Sequence, residues 1–99
     1  MATAQKFQAL GAMLSDNTIS ASTDLTPPAG ADAVMIQCLS QNVRYTIDGS
    51  TVPTASTGFL MVANTVYTLD VTPGVAIKVI EASASATVIY QWLIVAGAF

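Results

Sequence analysis

The residues able to do chemistry are few, and they are scattered. The 99-residue chain has no histidine, so the commonest general base, metal ligand and triad member is missing. Cys38 is the only cysteine. It can form no intrachain disulfide, and a cysteine-based zinc site would lack its other ligands. Asp16, Asp24, Asp32, Asp48 and Asp70 offer oxygen ligands, but none belongs to a calcium loop of the required spacing; each fits a turn-capping role. Lys78 and Glu81 read as surface or interface charges rather than a catalytic pair. Tyr90 and Trp92, two residues apart in an apolar run, resemble a sugar-stacking pair only by type, and their setting favours packing. No glycine-rich phosphate cradle is present. The reading is of a non-enzymatic protein with no catalytic, cofactor or metal site.

Charge narrows the partners. Lys and Arg total 3, Asp and Glu total 6, and charged residues make up 9% of the chain, against roughly 25% in an ordinary soluble domain. Lys6, Arg44 and Lys78 stand far apart in a net charge of −3, which argues against nucleic acid and against acidic membrane surfaces. Residues 7–14 after Lys6 imitate a signal peptide loosely, with Gln8 and Gly11 interrupting the run. The uncharged stretch 82–99 has nearly the length of a spanning helix, but its Ala/Ser alternation and Gln91 fit a buried strand better. No membrane association is expected.

The elements that must position these residues are strands. Val34, Ile36 and Cys38 alternate with Met35, Gln37 and Leu39, which predicts a strand over 33–39. Val43, Tyr45 and Ile47 alternate with Arg44, Thr46 and Asp48, with the first set expected inward. A reversal or a bulge is expected at Asp48-Gly49-Ser50-Thr51. Strands at 59–62 and 65–69 are expected to form a hairpin through Ala63-Asn64. Thr72-Pro73-Gly74-Val75 fits a type II turn. Strands over 76–81 and 87–95 complete the series, the last apolar on both faces except at Gln91. Only residues 3–14 leave room for a short helix.

About seven or eight short strands spaced about ten residues apart predict an all-β chain: a single antiparallel β-sandwich or small jelly-roll-like barrel with an N-terminal arm. Residues 1–32 are expected as arm and edge region and 33–99 as the sandwich core, in one domain overall. A free monomer of this architecture needs polar residues at alternate strand positions. Val88, Tyr90, Trp92 and Ile94 on one side and Ile89 and Leu93 on the other do not supply them, nor do Met35 and Leu39. Doubled apolar faces point to a subunit that works assembled, or to a central strand covered by the chain's own arm.

The run Val43-Arg44-Tyr45-Thr46-Ile47-Asp48-Gly49-Ser50-Thr51-Val52-Pro53-Thr54, continued through Phe59-Leu60, resembles two families. One is the immunoglobulin-like C-terminal module of chitobiase-type glycosidases, with its YT-x-DGS-x-PT signature. The other, whose likeness extends through Ile77-Lys78-Val79-Ile80-Glu81 and Ala86-Thr87-Val88-Ile89-Tyr90-Gln91-Trp92, is a group of small β-rich structural proteins of tailed bacteriophages. Val52 adds one residue between Thr51 and Pro53 relative to the usual spacing. The second resemblance covers about the C-terminal two-thirds of the chain. It implies a virion component: a capsid decoration or cement protein on the outer capsid surface, partnered by the major capsid protein and assembled as a homo-oligomer, a trimer favoured. A tail, baseplate or fibre-associated subunit is the alternative, and a carbohydrate-binding accessory module the second. On the virion reading, Tyr90, Trp92, Phe99, Met35 and Phe7 are the interface candidates.

Overall fold

A computed structural model describes residues 5–98. Among these residues the chain forms nine strands: β1 (Gln5–Ala9), β2 (Leu14–Asp16), β3 (Thr23–Leu25), β4 (Ala33–Leu39), β5 (Val43–Thr46), β6 (Phe59–Met61), β7 (Val66–Asp70), β8 (Ile77–Glu81) and β9 (Thr87–Ala98). Their pairings are all antiparallel. They make two packed sheets, the sandwich that the short alternating runs predict. Sheet A has the order β1-β9-β4-β7, with β2 also on β9, and sheet B the order β3-β8-β5-β6.

The core lies between the sheets. Val34, Ile36 and Cys38 of β4 and Val88 and Trp92 of β9 meet Val43, Met61, Ile77 and Val79 of sheet B, with Ile19 and Leu25 closing one side. β4 shows the expected alternation: Val34, Ile36 and Cys38 are fully buried, whereas Met35 is 44% exposed. Cys38 donates its thiol hydrogen to the Met61 carbonyl at 3.4 Å. Burial pushes its pKa up, so it stays a neutral thiol, a small apolar residue in function.

Residues 5–32 are bound into the sandwich. β1 and β2 both pair along the same edge of β9, β1 with its C-terminal half and β2 with its N-terminal half. They form one edge strand interrupted by a detour at 10–13. β3 forms an edge of sheet B, and Ile19 and Leu25 join the core. The room left for a helix within 3–14 is taken, over its described part, by β1 and the start of β2.

Two local expectations are corrected. The 59–62 and 65–69 strands do not pair as a hairpin: β6 bonds to β5 in sheet B, and β7 to β4 in sheet A. The intervening turn crosses between sheets, held by the Asn64 N–H on the Cys38 carbonyl at 2.7 Å and the Ala63 N–H on Asn42 Oδ1 at 2.9 Å. Asn64 does adopt positive φ, 66°. The second correction concerns Ile47, which is 47% exposed rather than inward, while Thr46 is buried. β5 ends at Thr46, whose hydroxyl donates to the Thr51 carbonyl at 2.6 Å; the following loop covers Thr46 and carries Ile47 outward.

The predicted turns at 48–51 and 72–75 are present. Asp48 Oδ1 accepts from the Ser50 and Thr51 amides at 3.0 and 2.8 Å, and Oδ2 accepts from the Thr51 hydroxyl at 2.6 Å. Those bonds hold the Asp48 carboxyl down at about 2, because hydrogen bonds to the charged form favour it. Val75 N–H donates to the Thr72 carbonyl at 3.0 Å.

Candidate assembly surface

Strand geometry assigns every residue of sheet A to one of two faces. On β9, Val88, Tyr90 and Trp92 pair with Cys38, Ile36 and Val34, the inward residues of β4. Ile89, Gln91 and Leu93 therefore share the outer face with Gln37, Met35 and Ala33, and β7 adds Val66, Thr68 and Asp70. Met13, from the detour beside β9, is 62% exposed, and Val66 is 55% exposed. Met13, Met35, Val66 and Ile89, with Gln37 and Gln91, line an apolar depression of about 80 Å³ on this face.

Charge is distributed unequally between the two outer faces. Lys78 and Asp24 form an ion pair at 2.9 Å across β8 and β3 on the outside of sheet B, and Arg44 lies on the same face, bonded to the Gly58 carbonyl at 3.3 Å. On the outer face of sheet A, Asp70 at the end of β7 is the one ionisable side chain among the described residues of β4, β7 and β9. Asp32, at the start of β4, is bonded to the Val95 amide at 2.8 Å. The outer face of sheet A is thus nearly free of charge over β4, β7 and β9, whereas the outer face of sheet B carries Lys78, Asp24 and Arg44 beside Leu60, itself 41% exposed. The exposed apolar residues of the sheet A face are Met13, Met35 and Val66, with Ile89 half-buried and Ala33 and Leu93 buried, which makes the neighbourhood of Met35 the candidate surface.

The five interface candidates do not share this face. Met35 lies at its centre. Phe7, opposite Val95 on β1, is 42% exposed. Tyr90 and Trp92 face the other way, toward the interior of the sandwich. Trp92 is 5% exposed and lines a surface depression together with Leu10, Leu14, Thr26 and Pro28. Its ring meets Tyr90 edge-on with centroids 5.7 Å apart, a favourable aromatic arrangement. Tyr90 is half-buried, and its pKa is pushed up by burial and then by the Asp16 carboxylate. Phe99 lies outside the described residues.

Sequence reasoning missed Met13, Val66 and Ile89 as a group, because neither the β7 pairing nor the 10–13 detour is encoded in a local period. It also missed a second exposed apolar set at one end of sheet B. Ile47, Val52 and Phe59 are 47%, 60% and 63% exposed, and Phe59 leans on Tyr45 with ring centroids 5.7 Å apart. These residues stand in and beside a loop stiffened by its own bonds, including the paired Thr54 and Thr57.

No group of three or more His, Cys, Asp or Glu side chains is placed to hold a metal ion among the described residues, and no helix there is long and apolar enough to cross a membrane. Comparisons with protein-family models, with curated proteins and with solved structures return no match.

Proposed function

We propose that this chain is a non-enzymatic structural subunit of a bacteriophage virion, a capsid decoration protein that docks on the outer capsid surface and stabilises the lattice of the major capsid protein. The observation that carries the reading is the nearly uncharged outer face of sheet A, with Met35 44% exposed at its centre. A face of this kind stays soluble when a neighbour covers it, and a small β-sandwich with little charge suits repeated contacts on a regular shell. Each contact is weak, but a homo-oligomer that bridges several capsid subunits gains avidity through effective concentration. The resemblance of 43–60 and 77–92 to small phage structural proteins supports the same reading. The carbohydrate-binding alternative draws less support, because Trp92, its natural stacking platform, lies inside the sandwich.

Co-sedimentation with the purified shell of the particle that carries this chain tests the proposal. Wild-type protein should pellet with the shell. Met35→Asp, a change at an exposed position, should abolish pelleting while leaving the fold intact. Imaging of the whole particle should place the subunit on the shell; density confined to the tail would move the assignment to a tail or baseplate subunit. Failure of the wild-type protein to bind any part of the particle would end the virion reading.

A further inference from the structure

Four strand edges of the sandwich invite pairing, and three of them are blunted. β3 and β6 are three residues long, with Pro27-Pro28 following β3 and Pro53 in the loop before β6. The β1/β2 edge is broken twice, by a register shift between Lys6 and Phe7 and by the detour at 10–13. β7 differs. Its five residues pair in unbroken register with β4 alone, with no proline or lysine and one charge at the last position. Soluble proteins normally blunt such an edge, because its unpaired amides and carbonyls template another strand.

The direction of those backbone groups follows from the ladder. Val71 N–H donates to the Asp32 carbonyl at 3.1 Å, continuing the Ala33–Asp70 register. Residues of an antiparallel strand alternate between turning their backbone groups toward a given neighbour and away from it. Tyr67 and Leu69 therefore bond to β4, and Val66, Thr68 and Asp70 turn their N–H and C=O groups to the open edge.

We infer that β7 pairs with β7 of a second copy of this chain, antiparallel, about a two-fold axis through Thr68. In this register Thr68 faces its own counterpart, and Val66 of each copy faces Asp70 of the other. Every outward amide and carbonyl of the strand then has a partner. The two hydroxyl side chains meet at the axis, a favourable cross-strand pair, and on the inner side Tyr67 stands opposite the second copy's Leu69. Charge selects the same register. The two Asp70 carboxylates are separated by four residues, about 14 Å, beyond the screening length of about 8 Å at physiological salt. Centring the pair on Asp70 would set the carboxylates face to face, and centring it on Val66 would leave Asp70 unpaired and run the strand into the Asn64 turn. The occupant of the edge is thus a second copy, because the strand satisfies all its own outward backbone groups in a register that also keeps the two Asp70 carboxylates apart. The outer faces of the two sheets join into one. This pairing goes beyond the virion reading and does not require a shell.

Sedimentation equilibrium of the full chain, from low to high micromolar concentration, reads the association directly. The wild type should show a reversible monomer–dimer equilibrium. Thr68→Pro removes an outward N–H and none of the bonds to β4, and association should weaken by on the order of tenfold or more. Cysteine placement gives a second readout that does not depend on tolerance of proline. Hydrogen-bonded antiparallel partners have Cα atoms about 5.5 Å apart, within disulfide range, so Thr68→Cys should cross-link to a dimer under mild oxidation and Val66→Cys should not. A strict monomer, an oligomer indifferent to Thr68→Pro, or equal cross-linking at both cysteine positions would overturn the inference. Shell binding by a strict monomer would sink this pairing alone; a β7 dimer that ignores the shell would sink the virion reading alone.

Discussion

The side-chain amide of Gln91 donates to the carbonyl of Gly11 at 2.8 Å, joining the middle of the largely apolar β9 to the place where its edge strand breaks. Between Ala9, opposite Leu93, and Leu14, opposite Tyr90, four residues face two. The detour leaves β9 without a continuous backbone partner there. Gln91 supplies a side-chain bond where the ladder opens, and Leu10 N–H restores one backbone bond, to the Trp92 carbonyl at 2.8 Å.

Gln91→Leu should therefore loosen the 10–13 segment without unfolding the sandwich. The lost bond is worth about 0.5–1.5 kcal/mol. Amide exchange should accelerate at Leu10 and Leu14 and stay unchanged at Val34 and Val79. Uniform acceleration across the chain would mean that Gln91 supports the whole fold instead of the detour.

Asp48 sets an acid dependence. Its carboxyl lies at about 2 against an ordinary 3.8, chiefly because of the Thr51 hydroxyl bond and then the Thr51 and Ser50 amides. A folded-state pKa below the unfolded one contributes stability that is present above the unfolded value and is lost as pH falls through the folded value. Thermal stability should fall between about pH 4 and pH 2, and Asp48→Asn, which keeps an acceptor oxygen but cannot ionise, should flatten part of that slope. A carboxyl titration by NMR with its midpoint near 4 would contradict the turn geometry.

Trp92 and Met35 separate packing from assembly. Trp92 is 5% exposed in the core and Met35 44% exposed outside it. Trp92→Ala should cost about 3–5 kcal/mol of folding stability, read by chemical denaturation. Met35→Ala should leave the unfolding midpoint nearly unchanged and weaken association or shell binding. A large stability loss at Met35 would place it in the core and remove the centre of the proposed surface.

These two residues also mark the limit of what the sequence discloses. The period-two pattern of 33–39 and 87–95 separates two faces, and the structure keeps both partitions: Val34, Ile36 and Cys38 share a face with Val88, Tyr90 and Trp92. Which face is inside is a tertiary matter. When both faces are apolar, residue type favours the aromatics as contact anchors, whereas the largest ring in fact fills the sandwich and the thioether of Met35 faces out. The β6/β7 connection fails for a related reason. Asn64 signals a turn, and a turn is there, but local chemistry does not specify whether the strands it joins lie in one sheet or two. Asp48 was legible because its bonds are to residues two and three positions away. The Lys78–Asp24 pair, 54 positions apart, was not.

Gly58 fixes the loop that carries Phe59. Its φ of 117° lies in a region that side-chain-bearing residues rarely enter, and an added Cβ would stand 3.1 Å from the Tyr45 carbonyl oxygen and 3.2 Å from Pro53 Cβ. The backbone must pass close to β5 here so that Arg44 can reach the Gly58 carbonyl and Tyr45 can meet Phe59. Gly58→Ala should destabilise the chain by on the order of 1–3 kcal/mol. Gly30→Ala is the reference, since Gly30 also has positive φ, 88°, but nothing within 4 Å of a built Cβ; its penalty should be the smaller. Equal losses at the two positions, measured by urea unfolding, would show that conformation alone sets the cost and that the 47–59 loop is not wedged against β5.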